Sequence, residues 1–256
     1  MFPTFGAINT LSGFAHSSYH SLQTKLERRF SNGFSLLQSY TWSHAIDNST
    51  DAEDFFNGPV IPQDSFNTNA EKAPSGFDIK HRLVTSFVYD LPFGRADGWL
   101  GGSKLARAVF GGFQIGGIFA AQTGQPVNLD VAGNPANTTN PVRPNRLGDG
   151  RLAHGDRNVD RWFDPAAFAA PAAFTYGNSG RNVLRAPGLV NLDFLVGRNF
   201  RLTETKRLEL RGEFFNLTNT AHFGRPNSVI GSPQAGTINS TSVPNRQIQL
   251  GLRLVF

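Results

Sequence analysis

Cysteine does not occur in this 256-residue chain. That excludes disulfides, a thiolate nucleophile and a Cys-ligated zinc site, and it leaves the redox compartment undecided. Charge is also scarce, at 17% of residues, against about a quarter in ordinary globular domains. The net charge is +5, yet the Lys and Arg residues are spread along the chain and never form a run, so the basic footprint of a nucleic-acid partner is missing. No apolar stretch approaches the roughly 18 residues of a membrane helix, and a bilayer would have to be crossed by strands. The opening MFPTFGAINTLSG has neither a basic n-region nor an apolar h-region and is not expected to be a signal peptide.

What is plentiful is Gly (27), Pro (15) and Phe (23), a turn-rich and aromatic β composition, and the length suits one large all-β domain. The last eleven residues, RQIQLGLRLVF, alternate with a period of two. Ile248, Leu250, Leu252, Leu254 and Phe256 form an apolar set, while Gln247, Gln249, Gly251, Arg253 and Val255 are mostly polar or small. Strand side chains point alternately to two faces, so one face of this strand suits an apolar surrounding and the other suits water.

Similar segments recur. Tyr19 to Phe30 sets Leu22, Thr24, Leu26 and Phe30 against Gln23, Lys25, Glu27 and Arg29, with Arg28 out of place on the apolar side. A Ser31-Asn32-Gly33 turn then predicts a hairpin, because Asn-Gly accepts positive φ. Phe34 to Ser43 follows, with Leu37 and Gln38 misplaced; His81 to Leu91 comes next, and Phe113 to Thr123 is weaker. Val190 to Phe200 has Leu195 among its polar set, and Arg207 to Asn216 alternates cleanly. With the terminal strand these make seven segments of about ten residues. At a tilt near 45° ten residues rise about 23 Å, close to the roughly 25 Å apolar band of a transmembrane barrel.

The connections alternate in length. Ser31 to Gly33 and Arg201 to Lys206 are short and Pro92 to Gly112 is of medium length, whereas His44 to Lys80, Gly124 to Leu189 and Leu217 to Arg246 are long. Short turns on one rim and long loops on the other is the pattern of outer-membrane barrels, and a soluble sandwich has turns at both ends. With the C-terminus on the periplasmic side, Tyr40 and Trp42 fall near the outer interface, and Phe34, Tyr89, Phe113 and Phe256 near the inner one.

The stretches YHSLQTKLERRFSNGFSLLQSYTWSHAIDN, DIKHRLVTSFVYDLPFG, GGFQIGGIFAAQTGQP, RPNRLGDGR, WFDPAAFAAP, GNSGRNVLRAPGLVNLDFLVGRNF and EFFNLTNTAHFGRPN together resemble the C-terminal barrel half of TonB-dependent, Oar-like outer-membrane receptors, which commonly carry a carboxypeptidase-regulatory-like domain. The resemblance spans nearly the whole chain. It implies a segment of a twenty-two-stranded barrel that encloses a plug. It also implies that the terminal strand is read by the barrel-assembly machinery, here through Leu252, Leu254 and Phe256.

The expected fold is therefore all-β: an antiparallel transmembrane β-barrel segment of about seven strands, forming an open curved sheet over residues 1–256, with no plug, no TonB-contacting segment and no signal peptide in the chain. Seven strands cannot close comfortably, since single-chain bacterial barrels have even strand counts from eight upward. Open edges would leave backbone groups unpaired, so the chain reads as a piece of a larger product. The partners implied are outer-membrane lipid, the barrel-assembly machinery and the TonB complex through the missing plug; nucleic acid is not among them. The location is the cell outer membrane.

Site chemistry is sparse. Asp193, Glu209, Arg211, Glu213, Gln247, Gln249 and Arg253 are candidates to face a wet lumen, and their charges suit cross-strand pairing as much as substrate contact. His16 and His20 stand four apart but lack the Glu of a helical zinc motif. Asp149, Asp156 and Asp160 lack the alternating layout of a calcium loop. No Gly-Lys-Ser/Thr completes a phosphate loop, and the sequon-like Asn48-Ser49-Thr50 carries little weight in a protein that the resemblance implies is bacterial. No cofactor, metal or catalytic set is expected, and the chain is not expected to be an enzyme. Energy-coupled uptake of a nutrient is the function the resemblance implies. A structural or adhesive outer-membrane protein is the alternative, and a soluble β-sandwich binding module a third reading.

Overall fold

The two-residue periodicity becomes a single antiparallel sheet. The structure is a computed structural model that describes residues 13–49, 61–93, 111–138, 140–203 and 205–256, with the side chains of residues 31 and 201 outside the description. Seven long strands, β1 (Ser17–Ser31), β2 (Phe34–Asp47), β3 (His81–Asp90), β4 (Phe113–Gln122), β5 (Leu189–Arg201), β6 (Arg207–Phe215) and β7 (Gln247–Val255), lie side by side in chain order. A two-residue strand, Ala73–Pro74, adds to the outer end of β2. The sheet does not close: among the described residues β1 and β7 are each bonded on one side only. Among the described residues no helix is long and apolar enough to cross a membrane.

The predicted turn holds β1 to β2. Asn32 and Gly33 have φ of 53° and 79°, the pair of positive values that matches hairpin twist. The initial MFPTFGAINTLS and residues 94–110 of the medium link lie outside the described residues. Strand β2 runs on to Asp47 rather than ending at Ser43, so the first long loop starts later than the sequence suggests. The extension is held from outside the periodicity: Ile46 and Asp47 pair with Pro74 and Ala73, and the backbone N–H of Ala45 donates to the Asp78 carboxylate at 2.8 Å.

Register decides which side chains share a face. Leu22, Trp42 and His81 lie in one row. Phe87, Gly117, Phe194, Phe214 and Ile248 form another, and Leu208 and Leu254 a third. Gly117 leaves room for its neighbour: a Cβ there would lie 2.9 Å from the Phe87 ring and 3.0 Å from the Asp193 carbonyl oxygen. This apolar face is bare, with Leu250 at 81% exposure and Leu252 at 67%. Water would not tolerate so broad a patch, whereas hydrocarbon does. One layer with an uncovered apolar face is not a sandwich, and the soluble-module expectation fails on that geometry.

The buried core sits beyond the outer ends of the strands. There the second and third long loops close around Val127, Leu129, Phe163, Phe168, Leu184, Ala186 and Ile230. Phe163 and Phe168 meet edge to face at 6.2 Å, and burial of each such ring contributes about 1.5–3 kcal/mol. Three two-residue ladders fasten this cap: Pro126–Val127 to Leu184–Arg185, Asp130–Val131 to Val229–Ile230, and Asn145–Arg146 to Phe168–Ala169.

Candidate functional site

The polar face collects the predicted row. Glu209 stands opposite Arg253, Arg211 opposite Gly251, Glu213 opposite Gln249 and Phe215 opposite Gln247. Arg207 Nε donates to Glu209 at 2.9 Å, Arg253 reaches Glu209 at 3.9 Å, and Arg211 reaches Glu213 at 3.5 Å. The guanidinium sides of these pairs are more than half exposed, so each is worth at most about 1 kcal/mol. Asp193 does not join this charge row. It accepts the backbone N–H of Asn216 at 2.8 Å and the Asn191 amide at 2.9 Å, because the turn after β6 brings an unpaired N–H to it.

Two residues misplaced in the sequence pattern acquire neighbours here. Leu37, Val88, Ile118 and Leu195 share the polar face, linked by the register through Ser86 and Gly116. Val88, Ile118 and Leu195 line a hollow of 530 Å³ that also includes Asp193, Arg211 and Glu213. The alternation is therefore interrupted by an apolar strip on the polar face.

The rims differ in chemistry. At the end with short turns, Phe34 and Tyr89 pair edge to face at 5.9 Å, with Arg28 over Phe34 at 5.4 Å. Arg198 lies over Phe113 at 4.8 Å and over Phe200 at 4.0 Å. Arg28, out of place by alternation, is thus accommodated over an aromatic ring at a rim. Leu252 and Leu254 face Leu210 and Leu208 across β6, and Phe256 follows the last pair at this same end with 89% exposure. At the other rim Tyr40 and His81 share a hydrogen bond of 2.9 Å beside the exposed Trp42.

Above that rim, three arginines of the Gly124 to Leu189 loop are fixed by carboxylates far away in sequence. Arg143 donates to both oxygens of Glu71 at 2.9 and 2.6 Å and to the Ser179 carbonyl at 2.9 Å. Arg181 binds the Asp47 carboxylate and the Glu71 carbonyl. Arg185 binds the Asp78 carboxylate and, at 3.0 Å, the Gly124 carbonyl. Glu71, Asp47, Asp78, Arg143 and Arg181 are each no more than 5% exposed. Such pairs hold a fixed geometry because loss of one partner strands the other in a dry site.

Burial alone would push the Asp78 carboxyl up, but the Ala45 N–H, the Arg185 guanidinium and the His44 ring hold it below its usual range. Asp130 behaves oppositely: burial pushes it up, and the more distant Arg143 only partly offsets that. The Arg161 guanidinium donates to Asp164 and, against a smaller effect of burial, keeps it low.

Sequence spacing gave no signal for the three clamps, whose partners are 72, 134 and 107 residues apart. Elsewhere, the His16 N–H donates to Asn48 at 2.8 Å and His20 faces His44 across β1 and β2. Asp149 is engaged by Arg146 at 2.6 Å. Asn48, first residue of the sequon-like triplet, is buried, and the third, Thr50, lies outside the described residues. Among the described residues no three His, Asp or Glu side chains converge in the manner of a metal site.

The profile of a family described as an outer membrane beta barrel domain matches residues 1–249. Neither the curated proteins nor the solved structures give a match. The family match agrees with the bare apolar face, the antiparallel order and the short-turn and long-loop rims. The chain belongs to the outer membrane beta barrel domain family and is a protein of the outer membrane.

Proposed function

We propose that this chain is the C-terminal barrel segment of a TonB-dependent, Oar-like receptor, a non-catalytic protein that takes up a nutrient under energy coupling. The open sheet is the observation that supports this reading most. Strands β1 and β7 each carry an unpaired backbone edge, and in hydrocarbon every unpaired N–H and C=O costs several kcal/mol. Further strands must satisfy those edges, and a large plugged barrel would supply them. The resemblance of the motif series to Oar-like receptors favours that family within the class. In this reading Leu252, Leu254 and Phe256 present the assembly signal, and Glu209, Arg211, Glu213, Gln249 and Arg253 face the lumen.

The test is whether the intact gene product carries a plug and a TonB-contacting segment, and whether a cysteine in that segment cross-links to TonB in energised cells. A barrel with no plug overturns the reading. An adhesive role is the second possibility, favoured by one feature: the loops build a cap with its own core and buried clamps, a rigid outward surface suited to contact.

A further inference from the structure

The cap contains a second cavity, separate from the hollow against the sheet. It is a half-open cleft of 240 Å³ between the start of β3 and the Gly124 to Leu189 loop, and its walls include Lys80, Arg151, Arg157, Trp162, Phe163 and Leu184. Phe163 and Leu184 belong to the cap core and are almost fully covered, so they back the wall, and the half-buried Leu152 and Trp162 supply the apolar surface within reach. The remaining charged groups are cationic.

Their charges are incompletely compensated. Lys80 has no carboxylate partner among the described residues, and its backbone carbonyl accepts the Ser43 N–H at 3.0 Å, which fixes its main chain beside β2. Asp149 sits 2.6 Å from Arg146 and leaves Arg151 only a 3.8 Å contact. Arg157 donates its Nε–H to the Leu152 carbonyl at 2.8 Å and lies 5.6 Å over the Trp162 ring, with no carboxylate partner among the described residues. Arg185, also on the wall, is already neutralised by Asp78. The pieces are set in advance: Trp162 Nε1–H donates to the Arg185 carbonyl at 2.7 Å, so indole and guanidinium need little ordering when a ligand arrives.

The chemistry of the walls narrows the ligand. Three cations around a small volume call for an anion, and the planar donor forks of two arginines suit a carboxylate or phosphate. An aromatic and aliphatic wall calls for an apolar body attached to that anion. The size fits one ring: about 150 Å³ holds benzene, while drug-sized ligands need about 300 Å³ or more. We propose that this pocket binds a carboxylate carried on a single six-membered ring, held by Lys80, Arg151 and Arg157 with its ring against Trp162 and Leu152. This gives the uptake reading a substrate class and rests on it for its biological meaning, although the binding itself needs no energy source.

The test is calorimetric titration of the full-length protein in detergent micelles with benzoate, benzyl alcohol and inorganic phosphate. Benzoate is expected to bind saturably, at least about tenfold more tightly than either the neutral ring or the bare anion, and to weaken as salt rises. Lys80→Gln and Arg157→Gln are each expected to weaken benzoate by about tenfold, while Lys25→Gln on β1 leaves it unchanged. Lys80 is exposed and has no ion-pair partner among the described residues, so its variant tests binding without risk to the cap fold. Equal binding of phosphate and benzoate, no saturable benzoate binding, or indifference to Lys80→Gln would each overturn the proposal. Because titration is independent of TonB, its failure leaves the uptake reading standing, and absence of a plug leaves a positive titration standing.

Discussion

Leu252 stands directly opposite Leu210 across β6 and β7, and one residue further on, Arg253 meets Glu209 at 3.9 Å on the reverse face. Two adjacent positions therefore occupy surroundings of opposite polarity. Apart from the apolar strip through Leu37, Val88, Ile118 and Leu195, the same relation repeats along the register to β2, and it makes the sheet a boundary between hydrocarbon and water.

That boundary sets the first prediction. Leu252 lies next to Gly251, the middle of β7, so Leu252→Arg places a charge in lipid near mid-bilayer and is expected to cost about 2–4 kcal/mol. Gln249→Arg, on the polar face, is expected to cost little. Equilibrium unfolding of the full-length protein from lipid vesicles compares the two, and equal costs would reverse the face assignment.

A second prediction concerns the cap. Glu71→Gln leaves Arg143 without its counter-charge in a dry site, and is expected to destabilise the cap by about 3–5 kcal/mol. Glu71→Leu combined with Arg143→Met removes both charges and is expected to cost much less. Hydrogen exchange of cap amides reads the loss locally, without unfolding the sheet. A single variant as benign as the double one would mean that the clamp contributes nothing.

Acid should act on the cap through two aspartates of opposite sign. The Asp78 carboxyl is held low, so its contribution is complete above the unfolded carboxylate value near about 4 and is lost as pH falls through the lower folded value. Asp130 is raised by burial, so its ionisation costs stability as pH climbs from the unfolded value through the folded one. Asp78→Asn is expected to destabilise the cap at neutral pH, with the deficit shrinking in strong acid. Asp130→Asn is expected to stabilise it at neutral pH and to have no effect in strong acid. Exchange rates measured across pH check both signs.

Removal of Phe256 supplies the last prediction. The residue extends past the final strand pair with 89% exposure, so its deletion removes little packing. If it forms part of an assembly signal, outer-membrane yield falls while synthesis and the stability of the assembled fraction are unchanged. Quantitative blotting of membrane fractions measures this; an unchanged yield removes the signal role.

The strands were legible because alternation is a local property. Leu208, Leu210, Gly212 and Phe214 fall on one side of β6 whatever surrounds them, and Asn32-Gly33 selects its turn from backbone sterics alone. A run of residues in a period of two, with short and long connections in alternation, was enough to define an open antiparallel sheet with one face for lipid.

The cap was not legible, since its stabilising pairs obey no period. Nothing in the neighbourhood of Arg143, Arg181 or Arg185 announces Glu71, Asp47 or Asp78, and Leu37 and Leu195 look like errors until register puts both on the face that carries the Val88 and Ile118 strip. Local sequence determined the faces because a strand's geometry repeats every two residues. Only the tertiary fold decided the clamps, the hollow and the cationic pocket, because each brings together side chains from separate strands or loops that chain connectivity leaves unrelated.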